Sequence, residues 1–180
     1  LDPFAQYFVI AGREAVQDAG FIIERPERVA IVSGSAGGGQ PTLDEQYHRL
    51  YGQDRKVHPF TIPKFMLNAG ASSLAQELGV TGPSFAVSTA CSSSNHALGQ
   101  AFWMVRQGLV DAALAGGSEA PFCNGYLRAW DSIRAMDPVR CRPFSRNRHG
   151  MTLGEGGGVL LLEAESRALG RGARIYAEIV

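Results

Sequence analysis

The sequence predicts an α/β domain, an α/β/α layered arrangement around a mostly parallel mixed sheet. Short apolar, β-branched runs alternate along the chain with segments whose apolar residues recur at helical spacing, which is the signature of strands feeding helices that pack back on the sheet. The composition, 45% hydrophobic and 19% charged over 180 residues, is that of a domain with one core of ordinary size.

The elements follow in order. Asp2-Pro3 supplies an N-cap and a proline at the first helical position, and Phe4, Phe8, Ala11, Ala15 and Ala19 recur at helical spacing up to Gly20. Arg28 to Ser33 is a strand that runs into the glycine loop 34–39. That loop lacks the Lys-Ser/Thr ending of a phosphate-binding loop and fits no dinucleotide fingerprint, so it reads as a tight turn with close backbone packing. Thr42 to Tyr51 is a helix and Gly52 to Pro59 a polar connection. Thr61 opens a long helical segment that runs to Gly79, a natural C-cap. Ser84 to Thr89 is a strand, Cys91 stands at an abrupt turn, and Ala97, Ala101, Met104 and Val105 mark a helix ending at Gly108. Asp111 to Ala115, Gly157 to Glu163 and Arg174 to Val180 are further strands, with short helices at 126–132 and 166–170. There is no internal repeat, linker or low-complexity tract.

Charge and cysteine content narrow the function. Seventeen Lys and Arg balance seventeen Asp and Glu, so no global basic field recruits nucleic acid or an anionic membrane. The longest apolar runs fall far short of the roughly 20 residues that a bilayer helix needs, and no signal segment opens the chain, which points to the cytoplasm. Cys91, Cys123 and Cys141 are an odd number with no CxxC spacing, against both a disulfide framework and a zinc site. The chain starts on a helix signal without Met and stops inside a strand-like run, so both ends read as cuts in a longer protein.

Cys91 is the candidate nucleophile. A reactive thiol needs a site that favours its thiolate and faces an incoming carbonyl, and a helix N-terminus offers N–H groups for both the thiolate and a tetrahedral oxyanion. Ser92, Ser93 and Ser94 keep the surroundings small enough for a substrate arm. Position alone favours a buried, inert cysteine, since free Cys is among the most buried residue types.

The wider pattern overturns that preference. Val87-Ser88-Thr89-Ala90-Cys91-Ser92-Ser93-Ser94 resembles the active-site signature of the β-ketoacyl-[acyl carrier protein] synthases. Ala115-Gly116-Gly117-Ser118-Glu119 and the stretch from Arg142-Pro143-Phe144 through Gly154-Glu155-Gly156-Gly157 are similar to two further landmarks of that family, in the same order. Ser145 and His149 stand where aspartates are usual, which puts loop packing in doubt more than chemistry. The resemblance covers essentially the whole chain and is nearest to the elongating type II enzymes. It implies a thiolase-like fold of which residues 1–180 are the amino-terminal half.

It further implies a reaction. The cysteine takes an acyl chain from acyl carrier protein or coenzyme A as a thioester; malonyl carrier protein is decarboxylated and its carbanion equivalent attacks that thioester, extending the chain by two carbons. No cofactor and no metal are implied. The assisting histidines and lysine belong to the family's second half, so His48, His58, His96 and His149 read as surface or core histidines. His96 lies more than a helical turn beyond Cys91, too far along for direct proton transfer. Arg55, Lys56 and Arg134 resemble the family's carrier-docking residues, where the phosphopantetheine-bearing partner is acidic. Arg140, Arg142, Arg146 and Arg148 belong to a structural loop whose charges are expected to pair internally. Phe65, Met66 and Leu67 suit an acyl pocket, a subunit contact or an ordinary core, and the family dimer buries the strand before the cysteine. Two alternatives stay open: a non-catalytic partner subunit resembling a chain-length factor, and a half that is inactive alone.

Overall fold

The computed structural model describes all 180 residues. Helix α1 (Pro3–Asp18) leads through a 3₁₀ turn to strand β1 (Val29–Gly34), then α2 (Gln40–Tyr47), a π turn at His48–Gly52, α3 (Thr61–Phe65) and α4 (Ala69–Leu78). Strand β2 (Ser84–Val87), α5 (Ser93–Arg106), β3 (Ala112–Glu119), α6 (Asn124–Ser132), β4 (Gly156–Glu163) and α7 (Glu165–Gly170) complete the order. The sheet runs β2-β1-β3-β4, with β1 parallel to both neighbours and β4 antiparallel to β3. Val32 is opposite Phe85 on one side and Ala115 on the other, and Ala115 is in turn opposite Leu160.

Alternation along the strands divides the core into two layers. Val29, Ile31 and Leu114 face α1 and α4, where they meet Phe8 and Leu74, all but Val29 fully buried. Burying side chains of this size contributes roughly 1.5–3 kcal/mol each. Ala30, Val32, Ala113 and Ala115 face the other way and meet Ala97 and Ala101 of α5. Alanine on both sides of that contact lets α5 lie close to the sheet, and this closeness sets the position of everything at its N-terminus.

The Asp2 cap is confirmed and does more than the sequence suggested. One carboxylate oxygen accepts from the Phe4 N–H at 3.3 Å and the other from the Thr42 N–H at 3.0 Å, so one buried side chain ties the starts of α1 and α2 together. The buried face of α1 is Phe4, Ala5, Phe8, Val9 and Gly12, turned slightly from the predicted one.

Two predicted elements differ. The helix expected from Thr61 to Gly79 is two helices, because the Phe65 carbonyl accepts from the Gly39 N–H at 3.1 Å and Met66 turns to extended backbone at ψ 137°. Gly79 is the αL cap as expected, at φ 69°. Arg174 to Val180 forms no strand; no other strand pairs with it, and Tyr176 instead donates to Asp18 at 3.1 Å.

The long connection between α6 and β4 is closed by a bridge between Met136 and Met151 and by Asp137. The Asp137 carboxylate accepts from the N–H groups of Val139 (2.8 Å) and Arg140 (3.2 Å) and meets Arg142 at 3.5 Å. Those backbone N–H bonds, chiefly that of Val139, together with Arg142 hold its carboxyl below the usual carboxylate range despite the opposing effect of burial. A depressed folded-state value stabilises the loop above the ordinary carboxylate pKa of about 4 and is lost as pH falls through the lower folded value. Hydrogen exchange of residues 138–150 is therefore expected to accelerate below about pH 4 relative to the sheet. The Asp137→Asn variant is expected to exchange fast at pH 7 already.

Candidate active site

The carboxyl ends of the parallel strands carry the site, which is where α/β sheets open a crevice. Strand β2 ends at Val87; two residues on, Thr89 begins a tight turn held by hydroxyls. Ser93 Oγ accepts from the Thr89 N–H at 2.9 Å and donates to the Ala90 carbonyl at 2.6 Å, while Ser92 Oγ donates to the Thr89 carbonyl at 2.7 Å. Ala90 takes φ 53°, a left-handed conformation costing a non-glycine residue roughly 1–2 kcal/mol. The strained turn throws Cys91 outward, so the thiol is exposed rather than buried. The inert-core reading of this cysteine is thereby set aside.

Cys91 stands one residue before the N-cap Ser92, not inside α5. The N–H groups of Ser92 and Ser93 are spent within the turn, on Thr89 and Ala90, whereas those of Cys91, Ser94 and Asn95 donate to no other group of the chain. Unpaired N–H donors at a helix start are the kind of group that holds an oxyanion.

Two glycines fix where this helix start sits. A Cβ on Gly34, at the end of β1, would lie 2.5 Å from the backbone of Ser93 and Ser94, and one on Gly117 of β3 would lie 2.7 Å from Ser94 Cβ. Gly117 is thus needed for the close approach of α5, and Gly116, whose Cβ would lie 1.9 Å from the Gly158 carbonyl oxygen, for that of β4.

Cys91 opens into a cavity of about 390 Å³. Ser35 and Glu119 form one side, Tyr126 and Trp130 an aromatic wall, and Met151 and Leu153 an apolar one. The two aromatic rings meet edge to face at 6.3 Å. Asp44 of α2 sets that wall by accepting from the N–H groups of Asn124 (3.1 Å) and Gly125 (3.3 Å), capping α6 from outside its own chain segment.

Glu119 is the residue whose role the sequence did not reveal. Its carboxylate accepts from Ser35 Oγ and from the N–H groups of Ala36 (3.0 Å) and Gly37 (3.1 Å). The glycine loop therefore does form a nest of N–H donors, filled by the protein's own carboxylate. The only sequence signal was a glutamate closing the 115–119 motif across from a glycine-rich loop. Glu119→Gln is expected to destabilise the fold by about 2 kcal/mol, since an amide nitrogen must then face one of the N–H donors. Urea unfolding of the two proteins measures it.

The other predicted residues lie apart from the cavity. Arg55 and Lys56 are in the exposed connection after the π turn, and Arg134, at φ 55°, follows α6 one turn beyond Trp130. All three are exposed and none makes an ion pair. His48, His58, His96 and His149 are exposed and none lines the cavity. Phe65 and Leu67 pack against Gly39 and Gly38 and do not reach it. Cys123, just before α6, does not line it either, and burial pushes its thiol up. The expectation of internally paired arginines fails for three of four: Arg142 alone meets a carboxylate.

The layered fold holds an exposed thiol at a strand-to-helix elbow, the position at which other α/β folds carry a side-chain nucleophile. The chain belongs to the β-ketoacyl synthase family, residues 1–168 matching the beta-ketoacyl synthase N-terminal domain. It is 39% identical to nodulation protein E of Rhizobium sp. (strain N33) over 99% of its length and 45% of that protein's. It is 36% identical to 3-oxoacyl-[acyl-carrier-protein] synthase 2 of Staphylococcus aureus, over the whole chain and 47% of that enzyme. The solved ishigamide ketosynthase/chain length factor superposes with a TM-score of 0.89 at 31% identity, over 98% of this chain and 45% of that one. The thiolase-like expectation holds, and the chain spans about half the length of the curated relatives it matches.

Proposed function

We propose that residues 1–180 are the amino-terminal half of a 3-oxoacyl-[acyl carrier protein] synthase in which Cys91 is the acyl acceptor. The observation that carries this reading is the exposed Cys91 thiol at a strained elbow, with its own N–H unpaired, facing a cavity with aromatic and apolar walls. The sulfur attacks the thioester carbonyl of an acyl group, the oxyanion rests on N–H donors, and the carrier thiol leaves. Loss of CO₂ from a malonyl group leaves its electron pair on carbon; this carbanion attacks the Cys91 thioester, and the cysteine departs as thiolate. The groups assisting decarboxylation are assigned to the second half.

The acyl and malonyl groups arrive on the phosphopantetheine arm of an acyl carrier protein. Arg55, Lys56 and Arg134, exposed and free of ion pairs, are the cations for its acidic surface, although they are separate from the cavity lining. The open edge of β2 suits a homodimer contact. No helix is long and apolar enough to cross a membrane and all three cysteines are free thiols, which supports the cytoplasm as its place.

The test incubates the full-length protein with an acyl-[acyl carrier protein] and with a cerulenin-like thiol probe, then maps the modified peptide by mass spectrometry. An acyl adduct on Cys91 supports the assignment. Modification of Cys123 or Cys141 with Cys91 left free sinks it and favours the partner-subunit reading.

A further inference from the structure

We infer that the hollow formed by residues 141–150 is an oxyanion-binding site, separate from the Cys91 cavity, that takes a phosphate group. Between Asp137 and Glu155 the sequence carries four arginines and one histidine and no Asp or Glu. Both flanking carboxylates are already occupied. Asp137 accepts from two backbone N–H groups besides its 3.5 Å contact with Arg142, and Glu155 accepts from the Tyr7 hydroxyl at 3.0 Å.

The hollow measures about 440 Å³, and Arg142, Arg148, His149 and Cys141 line it. Each cationic or polar group there has donor capacity to spare. Arg148 spends only one N–H, on the Ser145 carbonyl at 3.0 Å, and the His149 ring makes no hydrogen bond; Arg142, whose Nε is buried without a partner and whose Nη2 meets Asp137, keeps Nη1 free. An Arg148 guanidinium beside an imidazole, with the Arg142 cation lining the same hollow, suits a tetrahedral oxyanion, which accepts paired N–H bonds from a guanidinium fork in a way that a monatomic anion cannot. The position adds a reason for the site to matter. Gly150 on its rim leads directly into Met151, Leu153 and Gly154, which wall the nucleophile's cavity. An anion drawing Arg142 and Arg148 together would thus steady that wall from behind.

The phosphate can come from free phosphate or from a phosphoester at the end of a substrate arm. Binding is read without turnover, so the site can stand or fall independently of the condensing reading. The experiment titrates the full-length protein with inorganic phosphate, 4′-phosphopantetheine and unphosphorylated pantetheine at fixed ionic strength, observing ³¹P line width for the first two and thermal unfolding for all three. Saturable phosphate binding is expected, weakened about tenfold in Arg148→Gln, which loses only an exposed contact, and unchanged in Arg174→Gln, a distant charge control. Tighter binding of 4′-phosphopantetheine than of phosphate, with none for pantetheine, identifies the phosphoester as the source; equal binding identifies free phosphate. Absence of saturable binding, or equal weakening by Arg148→Gln and Arg174→Gln, overturns the site.

Discussion

Cys91→Ala in the full-length protein is expected to remove acyl uptake and condensation by on the order of 10³-fold or more, the scale reached when a covalent nucleophile is lost and only binding and oxyanion donors remain. The same substitution is expected to leave stability within about 0.5 kcal/mol, because the side chain is exposed and packs no core. That separation carries the diagnosis. A structural cysteine loses stability and activity together, and a thiol that merely lines the cavity loses little of either. Cys91→Ser refines it: a hydroxyl fits the same elbow but is a far weaker nucleophile without an adjacent base, and no histidine of this chain lines the cavity. Single-turnover acylation followed by mass spectrometry, beside urea unfolding, measures both quantities in the same preparations.

The parts that could be read from sequence are those governed by local chemistry. Asp2-Pro3 before an apolar helix is an N-terminus wherever it occurs, and the structure uses it as one. The runs predicted at 28–33, 84–89, 111–115 and 157–163 all form strands, whereas β3 continues beyond the prediction through Gly116 to Glu119, where the residue types do not favour a strand. Cys91 drew attention because a strand, a turn of small residues and a helix follow one another without a gap, but it was the resemblance to the β-ketoacyl synthases that decided for a nucleophile. What stayed hidden depends on partners distant in sequence. The break after Phe65 is made by the Gly39 N–H, which takes a carbonyl that the helix would otherwise use, and nothing between 61 and 79 announces it. The run 174–180 has strand composition, yet strand composition forms no ladder without a neighbour. Glu119 could be seen as part of a motif, while its partner, the 35–37 loop, lies more than 80 residues earlier.

The placement of the thiol also rests on a contact of this distant kind, and Gly34→Ala is expected to expose it. The added Cβ would sit 2.5 Å from the carbonyl carbon and oxygen of Ser93 and the nitrogen of Ser94, all backbone atoms of the first turn of α5, so no side chain can swing aside. Relief requires the helix start to move back from β1 by about 1 Å, at a cost of roughly 1–3 kcal/mol for overpacking. Ser93 moves with it, and Ser93 Oγ is the group that holds both Thr89 and Ala90, so the elbow and Cys91 shift together. A displacement of about 1 Å at a reacting atom costs about 100-fold in rate. The expected result is therefore a folded protein whose Cys91 acylation is slowed about 100-fold while its stability falls only modestly. Gly99→Ala supplies the control: on the same helix, with nothing within 4 Å of its added Cβ, it is expected to be neutral or to stabilise by about 0.4–1 kcal/mol and to acylate normally. If Gly34→Ala acylates at the parent rate, the close approach of β1 to α5 does not position the nucleophile, and the elbow's own serine hydrogen bonds suffice.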